Sequence, residues 1–190
     1  MELIQWIDAD FEAVCSKFSG SVIALIPQDR WHEQVDNGGT TVAGLLLHVA
    51  RHQDLAVQVA IQGRAPIFAT HRSELGLAQA HDGVGLSEAE DQQATALMPS
   101  VALVQYVEAV FDATRDWLRQ LSPSALDHTP DTSGHLEGHA GISVDEFPWL
   151  HRMWGNRPTW WLVQWPVIGH GNAHVGEGIS IRNRMGLSPF

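Results

Sequence analysis

The sequence predicts an all-α protein, a four-helix bundle that forms a single domain over residues 1–190 with a long loop before the last helix. Four long segments repeat their apolar residues with the period of an amphipathic helix. Each of these segments has residues near its ends that start or stop helices. With 44% hydrophobic and 17% charged residues, the composition is that of a globular domain large enough to bury one core.

The first helix is predicted from Glu2 to about Ile26, because its apolar residues recur at three- and four-residue steps and Pro27 follows. Cys15 lies beside this apolar stripe, so we expect it to be a small buried side chain and not a reactive thiol. As the single cysteine of the chain, it excludes an intramolecular disulfide and a cysteine-based zinc site.

The second helix is predicted to begin with Thr40 or Thr41 as its N-cap and to run to about residue 62, with a glycine after it. His48 and His52 fall on the apolar face of this helix. A histidine on an apolar face is commonly a hydrogen-bonded core residue, and the alternative is a metal ligand. The pattern of this helix alone leaves both interpretations of His48 open.

The third helix is predicted from Pro99 to about Ser122, and the fourth from Pro158 to about Met185. Pro166 is expected to bend the fourth helix, since proline lacks the amide proton of a helical hydrogen bond. This helix also contains glycines, which weaken a helix and are explained if a neighbouring helix packs closely there. They are Gly169, Gly171, Gly176 and Gly178.

The long connection before the fourth helix is rich in glycine, proline, aspartate and histidine, which is typical of a loop. Connections of this length are unusual in a compact domain and are often functional. His135 and His139 are four residues apart, but the glycines around them favour a loop over a second metal site. His151 is expected in a loop or in solvent. Five tryptophans are expected in the core or in a pocket wall: Trp149, Trp154, Trp160, Trp161 and Trp165.

The clearest pattern for chemistry lies in the fourth helix. On a helix, His170 and His174 lie one turn apart on the same face, and Glu177 follows on that face. Imidazole nitrogens bind a divalent ion at about 2 Å, so such a pair can supply two ligands. In a helical bundle the remaining ligands come from facing helices. His48 would complete a three-nitrogen site with positions open for water or substrate.

Two segments of the chain resemble the DinB/YfiT-like family. They are Thr-Val-Ala-Gly-Leu-Leu-Leu-His at residues 41–48, and the pair His170 and His174 followed by Glu177. In helix order and histidine placement the resemblance covers almost the whole chain. It implies an up-down-down-up bundle, a divalent metal bound by His48, His170 and His174, and a homodimer. Relatives with assigned activity include transferases and isomerases that use mycothiol or bacillithiol.

The resemblance therefore implies a metal-dependent enzyme that transfers or activates a low-molecular-weight thiol, or that activates a metal-bound water. Zn²⁺ or Ni²⁺ is the expected ion, with Fe²⁺ as an alternative, because all three accept imidazole ligands. Glu177 is expected to accept a hydrogen bond from a ligand histidine, and in its alternative role, as a general base, it is the candidate catalytic residue. His52 is either a fourth ligand or a supporting residue beside the site.

A second class of function is a non-catalytic binding or stress-associated protein in which the metal joins two helices. An open set of three ligands favours the enzyme, and a closed set of four histidines would favour the binding protein. The net charge of −11 argues against a nucleic-acid partner. We expect a cytoplasmic protein with a small-molecule substrate and no membrane contact, since no apolar run reaches about 18 residues and no signal peptide is visible.

Overall fold

Helices form the regular structure of the protein, described for residues 2–35, 38–77, 85 and 88–190 in a computed structural model. In chain order the α-helices of these residues are α1 (Leu3–Lys17), α2 (Val42–Asp54), α3 (Phe68–His71), α4 (Glu88–Thr95), α5 (Ser100–Gln120), α6 (Thr132–Ala140), α7 (Pro148–Trp154), α8 (Thr159–Leu162) and α9 (His170–Arg184). The described residues contain no strand, so the predicted all-α fold is confirmed. That all 190 residues form one domain stays a prediction.

Three helical segments are wound more widely, as π-helical turns. They are Phe18–Ile23 after α1, Leu55–Ile61 after α2 and Val163–Gly169 between α8 and α9. Such turns are rare and are found frequently at functional sites. Two of them border the candidate ligands, because Leu55–Ile61 begins shortly after His52 and Val163–Gly169 ends at the residue before His170.

The four long helices pack as a bundle in which α1 and α2 each contact both α5 and α9. Gly171 of α9 lies against Val14 of α1, and Gly178 lies against Val22, so α1 and the α9 segment run in the same direction. A β-carbon at Gly171 would come within 2.7 Å of a Val14 methyl group, and one at Gly178 within 2.8 Å of a Val22 methyl group. These two glycines therefore allow the close packing that the sequence predicted.

Ion pairs between α1 and α5 show the relative direction of these two helices. Arg115 of α5 pairs with Glu12 of α1, and Arg119 pairs with both Glu12 and Asp8. Residues further along α5 thus meet residues further back in α1, and the two helices are antiparallel. The complete up-down-down-up path stays a prediction.

Residues predicted to start or stop helices do so at several positions. The hydroxyl of Thr41 accepts a hydrogen bond from the backbone N–H of Gly44 at 3.0 Å, which makes Thr41 the N-cap of α2. Gly63 and Gly186 follow the second and fourth helices with φ angles of 61° and 76°, a conformation that favours glycine. Cys15 is 4% exposed, as expected of a core residue.

The prediction of a loop around His135 and His139 is wrong, because both lie in α6. The Asp131 side chain caps this helix by accepting from the N–H of Gly134 at 3.1 Å, and Gly141 ends it with a φ of 67°. Two of the nearby glycines thus belong to the helix ends, and the buried Leu136 anchors the helix to the core.

The rest of the long connection is also largely ordered, since it contains α7 and a 3₁₀ turn at Pro123–Asp127. Of its tryptophans, Trp154 is fully buried, whereas Trp149 is 41% exposed. Further on, Trp160 and Trp165 are 48% and 40% exposed, so of these four tryptophans only Trp154 is a core residue. No helix of the described residues combines the length and the apolar character that a membrane span requires.

Candidate metal centre

Three histidine side chains converge between α2 and α9. The Nε2 atoms of His48 and His170 are 3.0 Å apart, and those of His170 and His174 are 3.1 Å apart. Among the described residues, these three form the group of candidate ligands whose atoms all lie within 4.8 Å of one another. Because metal–imidazole bonds are about 2.0–2.1 Å long, nitrogens at this spacing could hold one ion.

The packing of the helices explains this convergence. His170 and His174 lie on one face at the start of α9, one turn apart. Gly178 lets α9 approach α2 closely, since a β-carbon there would lie 3.2 Å from a methyl group of Leu45. Leu45 is one turn before His48 on α2, so the same close contact brings the His48 ring towards the two histidines of α9.

The protons on the three rings indicate that a cation fits this site. His174 donates a hydrogen bond from Nδ1 to the Glu177 carboxylate at 2.7 Å, so its Nε2 presents a lone pair when the ring is neutral. A single Nε2 proton on His170 cannot fully satisfy both neighbouring nitrogens. A divalent cation would accept the lone pairs of all three Nε2 atoms at once, so the donor set fits a metal ion.

The charge state of the rings fits metal binding as well. Loss of solvation lowers the pKa of His48 to about 4, with a further contribution from His174, although His48 keeps contact with solvent. Burial lowers the pKa of His170 to about 2, helped by the neighbouring histidines. Both rings are therefore neutral at pH 7, the form that binds a metal. The hydrogen bond from His174 lowers the pKa of Glu177, which keeps the carboxylate charged.

His52 lies beside the three-nitrogen group and is not part of it. Its ring stacks on that of His170 with centroids 3.7 Å apart and an angle of 15° between the planes. Its Nδ1 lies 3.4 Å from the carbonyl oxygen of Pro166. Burial, with a smaller contribution from His48, lowers the pKa of His52 to about 3. The only sequence signal for this contact was the four-residue spacing from His48.

Two histidines of the long connection, His135 and His151, make contacts outside the three-nitrogen group. His135 donates from Nδ1 to the carbonyl oxygen of Ala60 at 2.9 Å, which ties α6 to the turn after α2. The expectation that His151 lies in a loop or in solvent is wrong. It is 6% exposed, on α7, and its ring nitrogens contact Ile142 O at 2.9 Å and Ser133 Oγ at 3.1 Å. These contacts join α7 to α6.

A cavity of about 30 Å³ opens beside the histidines. His48 and His52 line one side, and Leu55, Trp149 and Trp154 are among the apolar residues that line the rest. Since one water needs about 10–15 Å³ of such space, the cavity has room for roughly two waters. Two of the five tryptophans therefore do form a pocket wall next to the candidate ligands.

A model of the DinB superfamily matches residues 20–176. The chain belongs to the DinB superfamily. The matched range contains all three candidate ligands of this DinB-superfamily chain and ends one residue before Glu177. A crystal structure described as the conserved protein of locus from Enterococcus faecalis is similar in fold, with a TM-score of 0.69 and 15% sequence identity over 97% of each chain. No curated protein matches the chain.

Proposed function

We propose that this protein is a divalent-metal-dependent enzyme in which His48, His170 and His174 bind the ion. The observation that supports the proposal is the convergence of three histidine rings whose candidate ligand atoms all lie within 4.8 Å of one another. Three protein ligands leave positions open, which is the arrangement of catalytic sites. A bound ion would supply Lewis acidity and lower the pKa of a thiol or a water placed there. In the proposed reaction, a low-molecular-weight thiol or a water molecule loses its proton and attacks an electrophilic small molecule.

The chain's own residues shape the space around that open position. His48 remains exposed to solvent, which leaves a path for a small molecule to reach the site. Trp149 and Trp154 supply an apolar wall next to His48. An apolar wall excludes water from one side of the site and strengthens the electrostatic interactions within it.

Glu177 is proposed to fix the tautomer and orientation of His174 by accepting its Nδ1 proton. Its lowered pKa makes Glu177 a weaker base than an ordinary glutamate, which supports the orienting role over the alternative role of general base. The expected ion is Zn²⁺ or Ni²⁺, with Fe²⁺ as the alternative, because the three imidazoles suit each of them.

The second candidate is a non-catalytic protein in which the ion joins α2 to α9. The small size of the cavity beside the histidines favours it, because about 30 Å³ accommodates water but not a whole thiol cosubstrate. In this case the metal would contribute stability and a fixed surface, without turnover.

Metal analysis of protein purified without a histidine tag, followed by transfer assays with a panel of small thiols, tests the proposal. An enzyme should contain a divalent ion and, in a metal-dependent reaction, should either form a thioether from at least one thiol–electrophile pair or hydrolyse the electrophile. Protein that is fully loaded with metal but inactive with every thiol, and in hydrolysis of the same electrophiles, would favour the second candidate.

Glu177→Gln distinguishes the two roles of the glutamate, with Glu108→Gln on the exposed face of α5 as the matched control. A glutamine oxygen still accepts the proton of His174, so metal content should be retained in both variants. An orienting role predicts a modest loss of turnover in Glu177→Gln. A loss above about 100-fold with metal in place would instead identify a general base.

The expected assembly and location are also proposals. From the family resemblance we propose a homodimer, which light scattering of the purified protein would test. The net charge of −11 supports the proposal that no nucleic acid is bound. A cytoplasmic location with no membrane contact is proposed on the sequence alone.

A further inference from the structure

The two candidate ligands on α9 are held in different ways. His174 is oriented by the hydrogen bond from its Nδ1 to Glu177 at 2.7 Å. The Nδ1 atom of His170 is buried, and the described residues provide no hydrogen-bond partner for it. A metal-bound imidazole is normally oriented by a hydrogen bond from its second nitrogen. The orientation of the His170 ring must therefore depend on another contact.

His52 provides a contact of the right kind. Its ring is nearly parallel to that of His170, at 15°, with centroids only 3.7 Å apart. Trp154, which is fully buried, meets the His52 ring edge-on at 4.9 Å and 85°. Stacking restricts rotation of the His170 ring because any large turn about its side-chain bonds would drive one ring into the other.

The π-helical turn before α9 holds His52 in this position. The Pro166 carbonyl lies 3.4 Å from Nδ1 of His52, and a carbonyl oxygen can only accept, so the proton of the ring is on Nδ1 in this contact. Within the same turn, the backbone N–H of His170 bonds to Trp165 O, five residues back, and not to Pro166 O, four residues back. One local distortion of the helix thus sets both the position of His170 and the acceptor for His52.

We propose that His52 is a positioning residue for the metal site, whose ring holds the His170 imidazole by stacking where a hydrogen bond would usually do so. The contacts to Pro166 and Trp154 keep the ring of His52 in place. The inference rests on the proposed metal site, but it does not depend on the reaction catalysed there. It also does not require His52 to gain or lose a proton.

The test compares two substitutions at His52. His52→Phe keeps a flat ring that can stack but cannot bind metal, whereas His52→Leu keeps apolar volume without a ring face. The matched control is His135→Leu, since His135 also donates to a backbone carbonyl but is not part of the three-ligand group. Zn²⁺ affinity is measured by competition with a chromophoric chelator, and the Co²⁺ absorption spectrum reports on ligand geometry.

The expected result is that His52→Phe keeps the Zn²⁺ affinity within about threefold, whereas His52→Leu lowers it about 10- to 100-fold, the range for losing a contact that supports a ligand. The Co²⁺ spectrum should change in His52→Leu and stay close to wild type in His52→Phe and His135→Leu. If His52→Leu does not fold, His52→Met replaces it as the variant without a ring.

Two results would overturn the inference. Equal Zn²⁺ affinity in wild type and His52→Leu would show that the stack does not position His170. Loss of the ion in His52→Phe would show that His52 is itself a ligand. These two results can be distinguished from failure of the proposed function. In that case the wild-type protein binds metal but shows no turnover, and the His52 variants still show the predicted Zn²⁺ affinities. A wild-type protein that binds no divalent ion would overturn both proposals.

Discussion

Replacing Gly178 by alanine tests the close packing that brings α9 against α1 and α2. The added β-carbon would lie 2.8 Å from Cγ2 of Val22 and 3.2 Å from Cδ2 of Leu45. Carbon atoms pack best at about 3.5–4.0 Å, so the methyl group would overlap its neighbours by up to roughly 1 Å. The branched side chain of Val22 has little freedom to move away. Such overpacking costs about 1–3 kcal/mol.

Gly176 is the matched control in the same helix, because a β-carbon there would meet nothing within 4 Å. Replacing glycine by alanine inside a helix stabilises it by roughly 0.5–1 kcal/mol, and this gain applies to both positions. Subtracting the two variants removes the helix-propensity effect. Gly178→Ala should therefore be less stable than Gly176→Ala by about 1–3 kcal/mol.

Urea unfolding provides the measurement. With an m-value near the upper end of about 1–3 kcal/mol/M, the midpoints of the two variants should differ by roughly 0.3–1 M. The loss in Gly178→Ala should shrink when Val22 is also replaced by alanine, because the overlapping methyl group is then absent. A Gly178→Ala protein stabilised as much as Gly176→Ala would refute the close approach of α9.

Three further predictions concern buried groups. Tyr106 donates its hydroxyl proton to the buried Asp54 at 2.9 Å, so Tyr106→Phe should destabilise the protein by about 1–3 kcal/mol; an unchanged urea midpoint would contradict this. Burial raises the pKa of the Cys15 thiol to about 12. A thiol reagent at pH 8 should therefore label native protein far more slowly than protein unfolded in urea, and equal labelling rates would contradict burial of Cys15. The lowered pKa values of His48, about 4, and His170, about 2, contrast with about 6.5 in the unfolded chain. The metal-free protein should therefore hold its stability above about pH 6.5 and lose it as the pH falls towards those values, so its melting temperature should drop between about pH 7 and pH 5. A constant melting temperature would count against poorly solvated, neutral rings.

Most of the fold could be predicted because the long helices carry recognisable start and stop residues in the sequence. The Thr41 hydroxyl caps the start of the second helix, and Gly63 and Gly186 adopt the positive φ angles that end the second and fourth helices. Between these ends, the spacing of the apolar residues predicts the helical turns. The helix α6 was missed because its glycines outweighed its weak apolar period. Asp131 and Gly141 at its two ends were nevertheless a usable signal for a short capped helix.

The candidate site could be predicted only in part. The pair His170 and His174 follows from spacing along one helix, whereas His48 lies more than a hundred residues away, and its choice depended on the family resemblance. The stack of His52 on His170 depends on the π-helical turn at Pro166, and no period in the sequence encodes how far such a turn rotates the next residue. A proline within an apolar helix indicates a distortion but not its geometry.

The central claim is that three histidines from two helices bind one divalent ion, and metal analysis of His48→Ala tests it most directly. Wild-type protein purified without a tag should contain one divalent ion per chain. At a metal concentration 100 times the dissociation constant, the ion should raise the free energy of unfolding by about 2.7 kcal/mol. His48→Ala should lose most of the ion and that stabilisation, while His139→Ala on the exposed face of α6 keeps both. Full metal occupancy and unchanged metal-dependent stabilisation in His48→Ala would contradict the two-helix site.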